Sequence, residues 1–346
     1  MQMTRLGRSN LMVSRLTLGT MTWGSQNTAA EAHAQIDAAL DAGVNTLDAA
    51  EMYPTTPMTR ETAGRTEEII GEWIARTGRR GDIVLATKIT GAGNQTARAG
   101  EPIGPESLRS ALEGSLRRLR TDVVDLYQLH WPNRGSYHFR AIWSYAPETQ
   151  ARGLDGEFLG ILETLGRLRE EGKIRHVGLS NDTAWGTARM LHLAETHGLP
   201  RVVSIQNEYS LICRYFDADL AELAHHEEVG LLAYSPLAAG MLTGKYAGGV
   251  RPAGSRATIR EDLNGRLQPA AEAAVAEYVA LARAHGLDPA RMALAFVASR
   301  PFTASVIIGA TSMEQLATDL GAADLTLSDE VLAGIAAIRR RHPMPI

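Results

Sequence analysis

VVDLYQLH, residues 123–130, is a short run rich in Val and Leu that closes on a histidine. A strand covered on both faces reads as a nearly continuous apolar run, whereas one facing water on one side alternates. Seven other stretches share its character: SRLTLG (14–19), VNTLDA (44–49), DIVLATK (82–88), IRHVGLS (174–180), VVSIQN (202–207), GLLAYSP (230–236) and SVIIGA (305–310). Between them lie segments of helical period such as AAEAHAQIDAALDAG, PESLRSALEGSLRRLR, EFLGILETLGRLREEG and AAEAAVAEYVALARAHG. Several close on Gly, a favoured residue just past a helix C-terminus. Unbroken strand–helix alternation implies parallel strands with helical crossovers. Eight repeats in 346 residues predict a closed (β/α)8 TIM barrel, one domain over 1–346, rather than an open sheet cut in two. The opening MQMTRLGRSNLMVSRLTLGT alternates around a turn-like GRSN and predicts an N-terminal β-hairpin.

Composition narrows the function classes. With 45% hydrophobic and 21% charged residues the chain can bury a large core. A net charge of −4 and a pI near 6.2 provide no field for nucleic acid or an anionic membrane, so an anionic ligand needs local groups. No apolar stretch has signal-peptide or membrane-spanning length. The single cysteine, Cys213, excludes an internal disulfide and suits a reducing compartment, so a cytoplasmic protein with a small-molecule partner is expected. Oligomerisation is left open. His225 and His226, with Glu227 and Glu228, fall on the N-terminal side of the seventh strand, and no metal site is expected.

In a barrel of this kind the chemistry sits where strands end. Three long segments follow strand C-termini: residues 89–104 after the third strand, 131–156 after the fourth and 238–266 after the seventh. Loops of such length usually serve a purpose. The second holds Trp131, Tyr137, Phe139, Trp143 and Tyr145 in a chain only 5% aromatic, which reads as a substrate wall or lid. The closing IRRRHPMPI reads as a solvated helix end and tail.

Asp48 lies near the end of the second strand, Tyr53 just after it, Lys88 at the end of the third and His130 at the end of the fourth. Singly, each has an ordinary structural explanation; together, on neighbouring strands of one face, they form a chemical set. A phenol is a weak acid with a pKa of about 10, and a nearby ammonium favours its phenolate. Lys88 can supply that charge, Asp48 can hold Lys88, and His130 can hydrogen-bond a carbonyl oxygen. A carbonyl polarised in this way needs a hydride, which only a cofactor provides. Glu51 is expected to belong to the turn that carries Tyr53, with no catalytic part.

The segments LDAAEMYP, ATK and YQLHWP resemble those around the Asp, Tyr, Lys and His tetrad of the aldo-keto reductase superfamily, and LGTMTWG, IRHVGLSN, SIQNEYS, YSPLAAGMLTGKY and IIGATSMEQL extend the likeness over essentially the whole chain. It looks like Tas-type bacterial NADP-linked reductases and is similar also to the β subunits of voltage-gated potassium channels. The resemblance implies Tyr53 as proton donor to an aldehyde or ketone, with NADP(H) preferred over NAD(H). Tyr234 would stack on the nicotinamide, and Ser180, Asn181 and Gln206 would fix its carboxamide. Thr20, Met21 and Gln26 would flank the cofactor. Ser235, Pro236, Leu237, Ala238, Ala239 and Gly240, with Lys245, would receive the pyrophosphate, whose approach the small residues allow. Arg256, Gly309, Ser312 and Gln315 would serve the 2′-phosphate end, where Asp319 stands in place of the relatives' usual Asn. Trp23, Tyr53, His130 and Trp131 would line the substrate site.

Overall fold

The computed structural model describes all 346 residues. Eight parallel strands close into a barrel: β3 (Leu16–Gly19), β4 (Thr46–Asp48), β5 (Val84–Ile89), β6 (Val124–Leu129), β7 (Ile174–Ser180), β8 (Val202–Glu208), β9 (Gly230–Tyr234) and β10 (Thr303–Ile308), with β10 paired to β3. The hairpin is β1 (Met3–Arg5) against antiparallel β2 (Met12–Ser14). Its Leu6, Leu11 and Val13 pack on Ala86, Leu126, Val203, Leu232 and Ala304, so it stoppers the N-terminal end of the barrel. Chemistry is thereby confined to the other end.

Helices α1 (Ala29–Asp41), α2 (Arg65–Thr77), α3 (Pro105–Leu119), α4 (Asp155–Glu170), α5 (Ala184–Thr196) and α6 (Asp219–Glu227) follow the first six barrel strands in turn. Both α7 (Pro269–Ala284) and α8 (Pro289–Ala298) lie between β9 and β10, and α9 (Met313–Leu320) and α10 (Asp329–Arg341) follow β10. Local signals set their starts. Thr28 and Glu31 form a reciprocal capping box on α1, while Thr183, Asp288, Ser312 and Ser328 cap α5, α8, α9 and α10. The main core lies between strands and helices, where Leu47, Leu85 and Tyr127 meet Ile36, Ile70, Trp73 and Leu112.

Register assembles the mouth. Asp48 pairs with Ala86, and Lys88, two residues on, pairs with Gln128, so their side chains stack on the barrel's inner face. Gly178 is next in the row after Gln128. A Cβ there would lie 2.6 Å from Ser204 Oγ and 3.0 Å from Gln128 Cγ, so its bare backbone makes room for the glutamine.

Two sequence expectations change at this level. The seventh strand stops at Tyr234 because Ser235 takes φ +52°, turning the chain out of the sheet. The C-terminal tail is solvated only in part: Arg340, Arg341, Pro343 and Met344 are exposed, but Pro345 and Ile346 are buried, the Tyr215 hydroxyl donates to the Ile346 carbonyl, and Arg339 pairs with Asp217 at 2.8 Å. His225 and His226 are exposed beside the hairpin, where Arg8 donates to the His226 carbonyl. No helix is long and apolar enough to cross a membrane.

Candidate active site

Lys88, fully buried, is the hub of the mouth. Its Nζ donates to Asp48 Oδ2 at 2.7 Å, to the Ala49 carbonyl at 2.7 Å and to the Tyr53 hydroxyl at 3.4 Å, one acceptor for each ammonium proton. Burial alone would depress the ammonium, but the Asp48 charge, Tyr53 and the hydrogen bonds to both together outweigh it and hold Lys88 above its ordinary range. The other oxygen of Asp48 accepts from Gln206 Nε2 at 2.8 Å and Gln128 Nε2 at 3.4 Å. The Thr20 hydroxyl and amide both donate to the Asp48 carbonyl, at 2.8 and 3.2 Å. Asp48 is held from four directions.

The half-buried Tyr53 lies under Lys88, with Nζ 4.8 Å from its ring centroid. Because the phenol oxygen accepts from Lys88, its own proton points away from the ammonium. The expected easing of ionisation is overridden here. Burial pushes the phenol up, the Lys88 charge opposes it, Asp48 adds to the rise, and the net shift is above the ordinary value. Tyr53 therefore holds its proton throughout the neutral range, as a proton donor must. His130 meets Tyr53 edge-on at 5.8 Å between ring centroids. Its backbone is fixed by N–H donation to the Ile89 carbonyl at 2.8 Å and by Asn181 Nδ2 on its own carbonyl at 2.9 Å. Burial, with the nearby Lys88 charge, drives the imidazole well below its usual range, and its buried Nδ1 has no partner. A neutral ring with an uncommitted nitrogen faces the phenol.

Glu51 anchors this arrangement without touching it. Its Oε1 accepts from the Thr90 amide and hydroxyl, both at 2.7 Å, and from Arg98 Nε at 3.0 Å. The turn bearing Tyr53 is thus tied to the loop after β5. That loop also holds Trp131, whose Nε1 donates to the Ala92 carbonyl at 3.1 Å. Trp131 packs on His130 at 5.0 Å and on Phe139 at 5.9 Å, forming one wall of the mouth. The predicted aromatic wall is only partly assembled: Tyr137 and Tyr145 pack on each other and Trp143 stands out in solvent. Trp23 does not reach the mouth at all. It is wholly enclosed, with Nε1 bonded to Gln35 of α1 at 3.0 Å, because the turn after β3 directs it into the core.

Beside these four residues, further polar side chains and tight turns gather at the ends of β7 to β10. The Ser180 hydroxyl donates to the Gln206 carbonyl at 2.8 Å, and the Tyr234 hydroxyl donates to Asn181 Oδ1 at 2.7 Å. Ser235, Ala238, Ala239 and Gly240 all take positive φ, so the backbone after β9 coils tightly around Pro236 and Leu237. A Cβ on Gly240 would lie 2.8 Å from Lys245 Nζ, so the ammonium rests against bare backbone. Neither Lys245 nor Arg256 is ion-paired: burial and mutual repulsion push Lys245 down, and the Arg256 guanidinium finds only the Met21 sulfur, at 3.8 Å. Gln26 has a buried Oε1 without a partner. Gly309 fronts open space, Ser312 caps α9, and the Gln315 side chain folds back onto the Thr311 amide at 3.0 Å. Asp319 is buried, and burial, with the Asp288 charge, pushes its carboxyl up to about 7.

Gln128 was not among the expected residues. It lies in β6 two positions before His130, which follows the strand directly, so the period-2 rule puts it on the same inner face. No group of three or more His, Cys, Asp or Glu side chains is gathered as a metal ion would need. Cys213 is buried, and its thiol is pushed well up, chiefly by burial.

Residues 15–340 match the aldo/keto reductase family model. Over its full length the chain is 46% identical to Protein tas of Escherichia coli, covering 99% of that protein. It is 34% identical to the uncharacterized oxidoreductase YrpG of Bacillus subtilis over 96% of this chain and 94% of the relative. A probable voltage-gated potassium channel subunit beta of rice, Oryza sativa subsp. japonica, is 31% identical over 99% of this chain and 98% of its own. Barrel, buried Asp–Lys pair, phenol and family match converge: the chain belongs to the aldo/keto reductase family of oxidoreductases.

Proposed function

We propose that the protein is a cytoplasmic, NADP(H)-linked reductase that converts an aldehyde or ketone to its alcohol, reversibly, with Tyr53 as proton donor. The observation that carries this reading is the Tyr53 hydroxyl held 3.4 Å from the buried, Asp48-paired Lys88 ammonium. When bound, the nicotinamide supplies from C4 the hydride that no side chain can. As charge develops on the carbonyl oxygen, Tyr53 gives up its proton and Lys88 stabilises the phenolate that remains. Asp48 keeps Lys88 charged and aimed, and Gln128 and Gln206 keep Asp48 in place. His130, neutral, hydrogen-bonds the substrate oxygen and orients the carbonyl; Trp131 and Phe139 exclude water from one side.

The residues at the ends of β7 to β10 support a dinucleotide phosphate as the ligand. Two unpaired cations, Lys245 and Arg256, lie beside tightly coiled backbone after β9, and Gln26 presents an orphaned acceptor. Thr20, Met21 and Gln26 would flank the cofactor, while Ser180, Asn181 and Gln206 would hold the carboxamide beneath the Tyr234 ring. Ser235 to Gly240 and Lys245 would receive the pyrophosphate. Arg256, Gly309, Ser312 and Gln315 would take the 2′-phosphate end, with Asp319 near the adenine.

A second reading rests on the relative named as a channel β subunit: a barrel that holds NADP(H) and reports redox state, with slow chemistry. A panel of aldehydes, ketones and sugars assayed with NADPH and with NADH separates the two. Sustained multiple turnover with NADPH supports the reductase. A single turnover with retained cofactor supports the sensor, and turnover with NADH alone refutes the cofactor preference.

A further inference from the structure

Glu208, the last residue of β8, is a buried carboxylate with one oxygen committed to each of two loops. Its Oε2 accepts from Arg140 Nη1 at 2.8 Å, in the loop after β6, and its Oε1 accepts from Arg266 Nε at 2.8 Å, in the loop after β9. Burial alone would raise the carboxyl, but the two guanidiniums outweigh it and keep Glu208 below its usual range. Each arginine arrives on backbone that side chains rarely adopt. Phe139 and Arg140 have φ of 57° and 63°, and Leu263, Asn264 and Gly265 have φ of 51°, 58° and 77°. Such conformations persist where surrounding contacts over-determine them. The loops also meet directly, since a Cβ on Gly265 would lie 3.3 Å from Arg140 Cδ.

Contacts run outward from this carboxylate in both directions. On one side Phe139, next to Arg140, packs edge-on to Trp131, which packs on His130. On the other, Arg266 closes the loop that carries Lys245 and Arg256, and its Nη2 reaches Ser235 Oγ at 3.5 Å. We propose that Glu208 is a latch that joins the substrate wall to the cofactor loop, so that holding one shut slows opening of the other. The inference rests on the NADP(H) reading above. By linkage it is reciprocal: bound cofactor favours the closed wall as much as the closed wall favours bound cofactor.

An ion pair serving only local structure would let each arginine act on its own loop. The latch instead predicts that Arg140, on the substrate side, governs cofactor release through Glu208. The test follows NADPH dissociation from the full chain by stopped-flow fluorescence, chasing with NADP⁺. R140A and R266A should each release NADPH about tenfold faster or more, R140K should restore part of the slow release, and R140A should add nothing to E208Q. If E208Q does not fold, R140A against R140K decides. Wild-type release in R140A with only substrate KM raised would overturn the latch, as would additivity of R140A with E208Q. A wild-type protein that binds no NADPH would overturn the cofactor reading and the latch together.

Discussion

Replacing Asp48 by Asn removes one charge and almost no volume from the most enclosed ion pair of the mouth. Lys88 Nζ and Asp48 Oδ2 are 2.7 Å apart, with side chains 0% and 4% exposed. At that distance the gross attraction is about 6 kcal/mol at an effective dielectric near 20. Burial opposes it, so the pair's net worth is smaller. Stripping one partner from a buried pair nonetheless costs about 3–5 kcal/mol, because the remaining charge is left desolvated. For a 346-residue chain that lowers the melting temperature by roughly 4–7 °C. The chemical consequence is more specific. In the wild type Asp48 helps hold Lys88 above its ordinary range, so the ammonium stays charged through the neutral range. In D48N the largest opposing charge is gone, only Tyr53 still offsets burial, and the lysine pKa falls. Turnover should then decline as pH rises through the new value, roughly tenfold per unit, while the wild-type profile stays flat between about pH 6 and 8. The assay is kcat against pH at saturating cofactor, with thermal melts alongside. A D48N profile as flat and as high as the wild type, at an unchanged melting temperature, would refute the assignment of Asp48 as the charge that sustains Lys88.

Two further outcomes follow from buried carboxyls. E51Q leaves Arg98, 9% exposed, without its close carboxylate, and should cost about 2–4 kcal/mol in stability and lower kcat by loosening the Tyr53 turn, with NADPH affinity unchanged; thermal melts and steady-state kinetics check it, and a variant with wild-type kcat contradicts it. Asp319 has its folded pKa raised to about 7, against about 3.9 unfolded, so the folded state holds the extra proton between those values and stability falls as pH rises through them. D319N should flatten that slope and tighten NADPH more at pH 8 than at pH 6, as read by melts and fluorescence titration; parallel curves for the two proteins would contradict it.

The barrel was legible because strands covered on both faces leave nearly continuous apolar runs, and VVDLYQLH and its seven counterparts fall on the eight strands within a few residues at each end. The places of Asp48, Lys88 and His130 at or beside strand ends followed from those runs. What the sequence hid depends on contacts between distant loops. Glu51 meets Arg98 across 47 positions, and Glu208 meets Arg140 and Arg266 across 68 and 58, pairings that no local pattern encodes. Trp23 was misjudged for a related reason: proximity to a strand end says nothing about which way a turn directs its side chain, and this one carries it inward to Gln35. The ionisation of Tyr53 was a matter of magnitude. Sequence shows that an ammonium is near, but not that burial outweighs it.

In the proposed reaction Tyr53 delivers the proton while taking no part in holding the cofactor. That role is tested most directly by Y53F, which removes one oxygen, measured as kcat for the best carbonyl substrate and as NADPH affinity by fluorescence titration on the same preparation. In Y53F kcat should fall by about 10²–10⁴ with NADPH affinity within roughly twofold of wild type. Unchanged turnover in Y53F would contradict it.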